Sequence, residues 1–250
     1  MSALAHFLED EGVPTVALSL IRLHSEKVGN PRSLWVPFEL GRPLGPPLDA
    51  PFQTRVIESA LGMLMADSGP VLLRDFDADD PTARDSATWR PPFALDAPAI
   101  DANDPAGCET ALAREIGSVL PWHRRFIAAT GRTTMGNSGL AIDRCVEHLM
   151  RSLAGVPAPS AIADIADATF QRFVLDDLKA FYLEAALGAA DIPSSRQIQA
   201  WFWDQTVAAR LMIALRAALL ASSDSRAQAV GRMNVVPGIQ VARLNLPPAP

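Results

Sequence analysis

LAHFLEDEGVPTVALSLI, residues 4–21, decides how the first third of the chain is built. Leu4, Phe7 and Leu8 fall on one face of a short amphipathic helix over residues 3–10. Gly12 then supplies a helix stop, because glycine takes the left-handed conformation without steric cost. The following VPTVALSLI, residues 13–21, is apolar, rich in β-branched side chains and bounded by turn formers, which predicts a buried strand. Helix, glycine turn, strand is the rhythm of an α/β unit with a parallel sheet.

Working outward, LWVPF at residues 34–38 predicts a second strand, with Pro37 placing it at an edge or at its own end. ELGRPLGPPLDAP, residues 39–51, carries too many Pro and Gly for a regular element. Asp49 is a helix N-cap, and Phe52, Val56, Ala60, Met63 and Leu64 keep helical spacing to about residue 67. Residues 71–73 predict a third short strand. Residues 74–104, rich in Asp, Pro and Ala, predict a linker or wrapping segment. Its Trp89, Pro91, Pro92 and Phe93 predict that part of it docks on a core.

From residue 104 the pattern turns helical. Asp104 and Pro105 are an N-cap and first-turn pair. A helix is expected to about residue 119, a stop at Pro121, and a resumption over 122–129. Residues 131–139 (GRTTMGNSG) read as a loop and 140–153 as a helix, followed by a break at 155–160. Ser160 is expected to cap a helix bearing Ile165, Phe170, Phe173, Val174, Leu178, Phe181 and Leu187. Ser194 and Gln197 form a capping-box pattern that opens one long helix, from Ile198 through Trp201, Phe202, Leu211 and Leu215 to Leu219. The fold class predicted is mixed and helix-predominant: a small α/β N-terminal segment with parallel strands (1–73), the wrapping segment (74–104), an α-helical bundle domain of four or five helices (105–230) and an extended tail (231–250).

The net charge of −6 and pI near 5.2 argue against a nucleic-acid binder and against an anionic membrane surface as partner. The two cysteines, Cys108 and Cys145, indicate neither a disulfide framework nor a zinc site, and no cofactor motif is present. Residues 1–12 lack the basic and apolar regions of a signal peptide. The most apolar run, 208–221, is interrupted by Arg210 and Arg216 and is too short to span a bilayer. The expectation is a cytoplasmic chain.

EGVPTV after a helix, VGNPR shortly after the strand, and GRPLGPP leading into a helix that ends AL-x-x-L occur in order within residues 4–64. This stretch resembles the C-terminal part of the glycine/sarcosine/betaine and D-proline reductase selenoprotein B family. The resemblance implies an oxidoreductase subunit that reduces a C–N bond of a small amino-acid-like substrate. In that family the reactive selenocysteine or cysteine precedes the helix before the G-[IV]-P turn. Here no cysteine lies before Cys108, so the resemblance implies that a partner chain or a missing segment supplies the thiol or selenol, or that the redox chemistry is lost. A sheet this short leaves open edges, and pairing with a partner chain or a second copy is expected.

Three groups of side chains are candidates for chemistry. Arg22, His24 and Ser25 follow the first predicted strand, where ligands of open α/β sheets bind, and Arg22 suits a substrate carboxylate. Asn30, Arg32 and Arg42, the last within the GRPLG turn, extend that substrate-binding group; the alternative is a solvated loop and a turn shaped by Pro and Gly. A second candidate site comprises His123, Arg132, Thr133 and Ser138 around the 131–139 loop, anion-friendly and ending at a helix N-terminus. Its alternative is a well-capped helix connection. Cys108 near a helix N-terminus is the candidate catalytic thiol, because the dipole there favours thiolate; Cys145 reads as a buried hydrophobe. Glu147, His148 and the Asp164, Asp167, Asp176, Asp177 run lack metal-ligand spacing and read as solvated faces. Trp201, Phe202 and Trp203 read as core, with Trp203 equally suited to an interface. The alternatives to a reductase are a non-catalytic binding or scaffold protein built on the helical domain, and a thiol enzyme using Cys108.

Overall fold

Helix α1 (Ser2–Asp10) ends where Gly12 takes φ 81°, and the chain turns into strand β1 (Ala17–Ser19). The computed structural model describes residues 2–67, 71–81, 83–95, 100–101, 104–189, 191 and 193–248. They divide into two units, Met1–Arg84 and Asp85–Pro250. The fold is mixed and helix-predominant, with one small parallel sheet and a helical domain. Residues 82, 96–99 and 102–103 of the expected wrapping segment, and 249–250 of the tail, lie outside the described residues.

In the first unit β1 is followed by α2 (Arg22–Val28), β2 (Arg32–Trp35), α3 (Ala50–Gly62), a 3-10 turn (Met63–Met65) and β3 (Leu72–Asp75). The strands pair in parallel in the order β1-β2-β3, with Leu18, Leu34 and Arg74 in one row and Ser19, Trp35 and Asp75 in the next. β1 covers three residues rather than the nine expected. Thr15 leaves the ladder because its backbone N–H and its hydroxyl both donate to Glu9. The β2 ladder likewise starts earlier than expected and stops before Pro37, which has no N–H to offer.

Asp49 caps α3, accepting from the Phe52 N–H at 3.1 Å. Phe52, Val56, Ala60 and Met63 then pack with Leu34, Val36, Phe38 and Phe76 in one apolar cluster. The GRPLG turn sits directly on it: a Cβ on Gly45, at φ 84°, would come 2.5 Å from the Phe52 ring. That glycine is required by close packing as well as by its backbone conformation.

The second unit holds α4 (Pro105–Thr130), α5 (Ile142–Leu153), α6 (Asp167–Ala186), α7 (Ser195–Gln205), α8 (Val207–Ala221), α9 (Ser225–Met233) and α10 (Gly238–Arg243). Its core runs through Leu112, Leu149, Phe170, Leu178, Phe181, Tyr182, Phe202, Trp203 and Leu211. Helix α4 packs against α6 along its length and continues through Pro121 instead of stopping there. Leu112, Ile116 and Val119 are buried before the proline and His123 after it. Packing on both sides outweighs the roughly 3 kcal/mol that an interior proline costs.

The long helix expected after Ser194 is two helices. Thr206 adopts an extended conformation between them, its Oγ1 accepting from the Ala209 N–H and donating to the Phe202 carbonyl. Helix α6 starts at Asp167, not at Ser160; the Asp167 carboxylate instead accepts from the Ser160 N–H at 2.8 Å. The tail is not wholly extended, since α10 lies within it and Val235 and Val236 just before it are buried. With α7 and α8 separate and α9 and α10 added, the helical unit holds seven helices among the described residues, against the four or five expected.

Candidate functional site

Of the first group of sequence-predicted residues, Arg22, His24 and Ser25 follow the carboxyl end of β1, Asn30 and Arg32 sit at the start of β2, and Arg42 lies in the turn after it; each member that forms a bond is tied to a neighbour. Arg22 donates from Nε to both oxygens of Asp75, at 2.9 and 3.1 Å, and pairs with Glu26. Ser25 is buried and donates to Ser19 Oγ at 2.6 Å. Asn30 is buried with its amide on Ser33 Oγ, and Arg32 donates to Glu9 at 2.6 Å. The Arg32 guanidinium, with the Thr15 N–H, holds the Glu9 carboxyl below its usual range. His24 and Arg42 are exposed. These six side chains do not converge on one cavity; the polar ones hold the unit's own turns together.

In the second predicted group the donors of the 131–139 loop are taken by two carboxylates of the chain's own α6. Glu184 accepts from Thr133 Oγ1 (2.6 Å), the Thr134 N–H (2.6 Å), Thr134 Oγ1 (2.8 Å) and His123 Nε2 (3.0 Å). Seven residues earlier, Asp177 accepts from the N–H groups of Gly136, Asn137 and Ser138 and from Ser138 Oγ. Asp177 is wholly buried, which corrects its assignment to a solvated face. Burial would raise the Glu184 carboxyl, yet the Thr133, Thr134 and His123 bonds outweigh it and the group lies below its usual value. Arg132 is exposed and takes no part in either cluster. Glu184 was not legible as a site residue, because nothing in a helix sequence shows that a loop some fifty residues earlier turns two hydroxyls and the Thr134 N–H onto it.

Cys108 is 1% exposed, and its Sγ donates to the Asp101 carbonyl at 3.2 Å. Burial pushes the thiol up, and the charges of Asp104 and Asp101 push it further. This reverses the expected lowering: the N-terminal amide charge of α4 is taken by Asp104, whose side chain accepts from the Gly107 N–H. Cys145 is fully buried and pushed up to about 11, chiefly by desolvation. Neither thiol has the exposed, electropositive setting of a nucleophile. Among the described residues no group of three or more His, Cys, Asp or Glu could hold a metal ion, and no helix is long and apolar enough to cross a membrane.

The residues that do converge were read only as docking and core. The segment from Asp85 to Phe93 is pinned to the start of α7. Ser86 exchanges two bonds with the Gln197 side chain (3.0 and 2.8 Å), and Asp85 accepts from Ser194 Oγ. Gln197 thus serves the segment and not the reciprocal capping bond expected of it. Trp89 and Phe93 meet the Trp201 ring edge-on, at 6.2 and 5.7 Å between centroids. Beyond them opens a groove of about 660 Å³, walled by residues 90–95 on one side and by Trp201, Asp204, Gln205 and Arg210 on the other.

A recess of about 320 Å³ shares Ala94 and Leu95 with that groove and adds Arg114, Glu115 and Ser118. Glu115 is buried and accepts from the Tyr182 hydroxyl (2.6 Å) and from the first two N–H groups of α8, Val207 (2.8 Å) and Ala208 (3.1 Å). A side chain of α4 therefore caps α8, which explains why the helix starts there. Desolvation raises the Glu115 carboxyl; the Tyr182, Val207 and Ala208 bonds and the Arg210 charge offset this only in part. No family model matches the chain, and neither a curated protein nor a solved structure is significantly similar to it.

Proposed function

We propose that the chain is a small-molecule-binding protein whose working part is the helical unit. The groove beneath residues 90–95 carries this reading. Its volume of about 660 Å³ falls in the range of ligand pockets, and its lining combines Phe93 and Trp201 with the polar Arg90, Asp204, Gln205 and Arg210. It is framed by a helical core and a pinned segment, so it needs little rearrangement to accept a ligand. The test is a ¹⁵N–¹H screen of small aromatic and aliphatic compounds on the full chain, with the Trp201 indole signal assigned through Trp201→Phe. Hits should shift that signal and the backbone amides of Phe93 to Leu95, and Phe93→Ala should abolish them. A broad library that leaves these signals unmoved rejects the reading.

The reductase-type subunit implied by the resemblance is a second reading, favoured by one observation. Ser19, Trp35 and Asp75 end three parallel strands side by side, with Arg22 and Ser25 at the same end. In this reading a partner chain brings the redox thiol or selenol and completes the sheet. Co-purification of such a partner, followed by reductive C–N cleavage of glycine, sarcosine, betaine or D-proline that depends on this chain, supports it. A purified partner that is equally active alone removes it.

A further inference from the structure

We infer that the chain self-associates through the loop of residues 39–49, which packs against the same loop of a second copy about a twofold axis. The loop is built of two successive hydrogen-bonded turns. The Arg42 N–H donates to the Glu39 carbonyl at 2.9 Å, and the Gly45 N–H to the Arg42 carbonyl at 3.0 Å. It is fastened from beneath: Leu44 packs on the apolar cluster of the α/β unit, Gly45 seats against the Phe52 ring, and Gln53 Nε2 donates to the Pro46 carbonyl at 2.8 Å. A loop held in this way loses little conformational freedom when it binds. What it turns outward is largely apolar. Leu40 is 74% exposed and Leu48 101%, and Pro43 and Pro47 between them are exposed as well. Leu48 also stands at φ 63°, a left-handed backbone that disfavours a residue with a Cβ. Its side chain packs on nothing in its own chain, and a strained residue held out in this way points to a contact beyond the chain.

The charges name the occupant. Glu39 and Arg42 stand at the two ends of one turn, both exposed, and neither side chain pairs with the other or with any other described residue. The loop therefore carries one free carboxylate and one free guanidinium three residues apart, with a leucine on either side of Arg42. Such a surface is complementary to itself. A twofold contact pairs residue i with j and j with i, so Glu39 of each copy faces Arg42 of the other, and the leucines of the two loops close over one another. A partner of a single sign would satisfy one of these charges and oppose the other. The contact is small. Residues 39–49 fall well short of the roughly 20–30 residues a side of a standard interface, so the dimer is weak, with a Kd on the order of 100 µM.

The test is sedimentation velocity of the full chain over about 5 to 500 µM, a range that brackets this Kd. The parent chain should pass from monomer to dimer across it. Leu48→Gly should weaken the dimer at least about tenfold. It should leave the melting temperature where it is, because glycine accepts the left-handed backbone that leucine resists. Arg42→Glu and Glu39→Arg should each weaken the dimer by a similar factor, since each sets like charges opposite one another at both contacts. An equal mixture of these two variants should dimerise again, because opposite charges then meet at both contacts, and so should the chain that carries both changes. Recovery on mixing is a result that damage to folding does not produce, so it decides the matter even if a single variant is destabilised. A parent chain that stays monomeric throughout leaves the loop to a different partner and overturns the inference. A dimer that survives Leu48→Gly overturns it too, as does a mixture that fails to recover what the single variants lose. Species larger than a dimer mean that the loop docks on another face of the chain, and they also overturn it.

Discussion

The α/β unit and the helical unit spend their polar and apolar side chains in opposite ways. In the helical unit, buried carboxylates are placed where backbone N–H groups need an acceptor, and large aromatics lie almost wholly inside. In the α/β unit the polar residues are spent on local turns, and much apolar surface stays outside. Twelve of the sixteen large apolar side chains exposed among the described residues belong to residues 1–84, Phe7, Leu61 and Met65 among them. Its core is a cluster of eight buried side chains. A small core covers less of its chain and leaves less margin against conformational entropy. The contrast teaches where each kind of perturbation should register.

The largest effect is expected from Phe52→Ala. Phe52 packs on Phe38 at 5.5 Å and on Phe76 at 5.9 Å, and Gly45 seats against its ring. Removing it costs about 3–5 kcal/mol, comparable to the whole stability of a small domain. Hydrogen exchange should show protection lost over residues 16–76 and kept over the helical unit. Simultaneous loss in both regions would break the comparison, because it would make the two cores one cooperative structure.

Asp177→Ala comes next, and it acts on the other side. It strands three N–H groups and a buried hydroxyl around an emptied site, at about 3–5 kcal/mol. The urea midpoint of the helical unit should fall while exchange over residues 16–76 stays as it was. A loss under about 1 kcal/mol would mean that water replaces the carboxylate and that the loop is not held by it.

These positions also mark the limit of what the residues disclose in one dimension. Strand and helix order in the first unit was legible from periodicity, and so were the Asp49 and Asp104 caps, because their signals lie within four residues of each other. The break at Thr206 was not. Ile198 to Leu219 keeps helical spacing across it, and the group that stabilises the break, Glu115, sits on another helix. The 131–139 loop was legible as a donor-rich loop from its glycines and hydroxyls. That its donors are taken by Glu184 and Asp177 depends on tertiary packing alone. The groove was half legible: Trp89, Pro91, Pro92 and Phe93 predicted a docked segment, but the cavity beyond them needs Trp201, Asp204 and Gln205 of α7 and Arg210 of α8, which only tertiary packing brings there.

The smallest effect separates the two buried glutamates of the helical unit by sign. Glu184 has its native carboxyl below the ordinary 4.5, so folding favours its charged form. Its contribution is present above pH 4.5 and is lost as the pH falls through the lowered native value. Glu115 has its native carboxyl above 4.5, because desolvation outweighs the bonds it accepts. Folding therefore favours its protonated form; that contribution is present below pH 4.5 and is lost as the pH rises through the raised native value. A carboxyl whose titration midpoint moves by one pH unit on folding changes stability by about 1.4 kcal/mol. Urea stability measured from pH 3.5 to 7 should show Glu184→Gln flattening the acid side, below pH 4.5. Glu115→Gln should remove a decline above it, so that its deficit relative to the parent chain shrinks as pH rises. The two difference curves must slope in opposite directions over their windows. Parallel slopes would mean that the α8 cap holds a charged carboxylate as comfortably as the loop does, and that burial in the recess does not set the Glu115 proton.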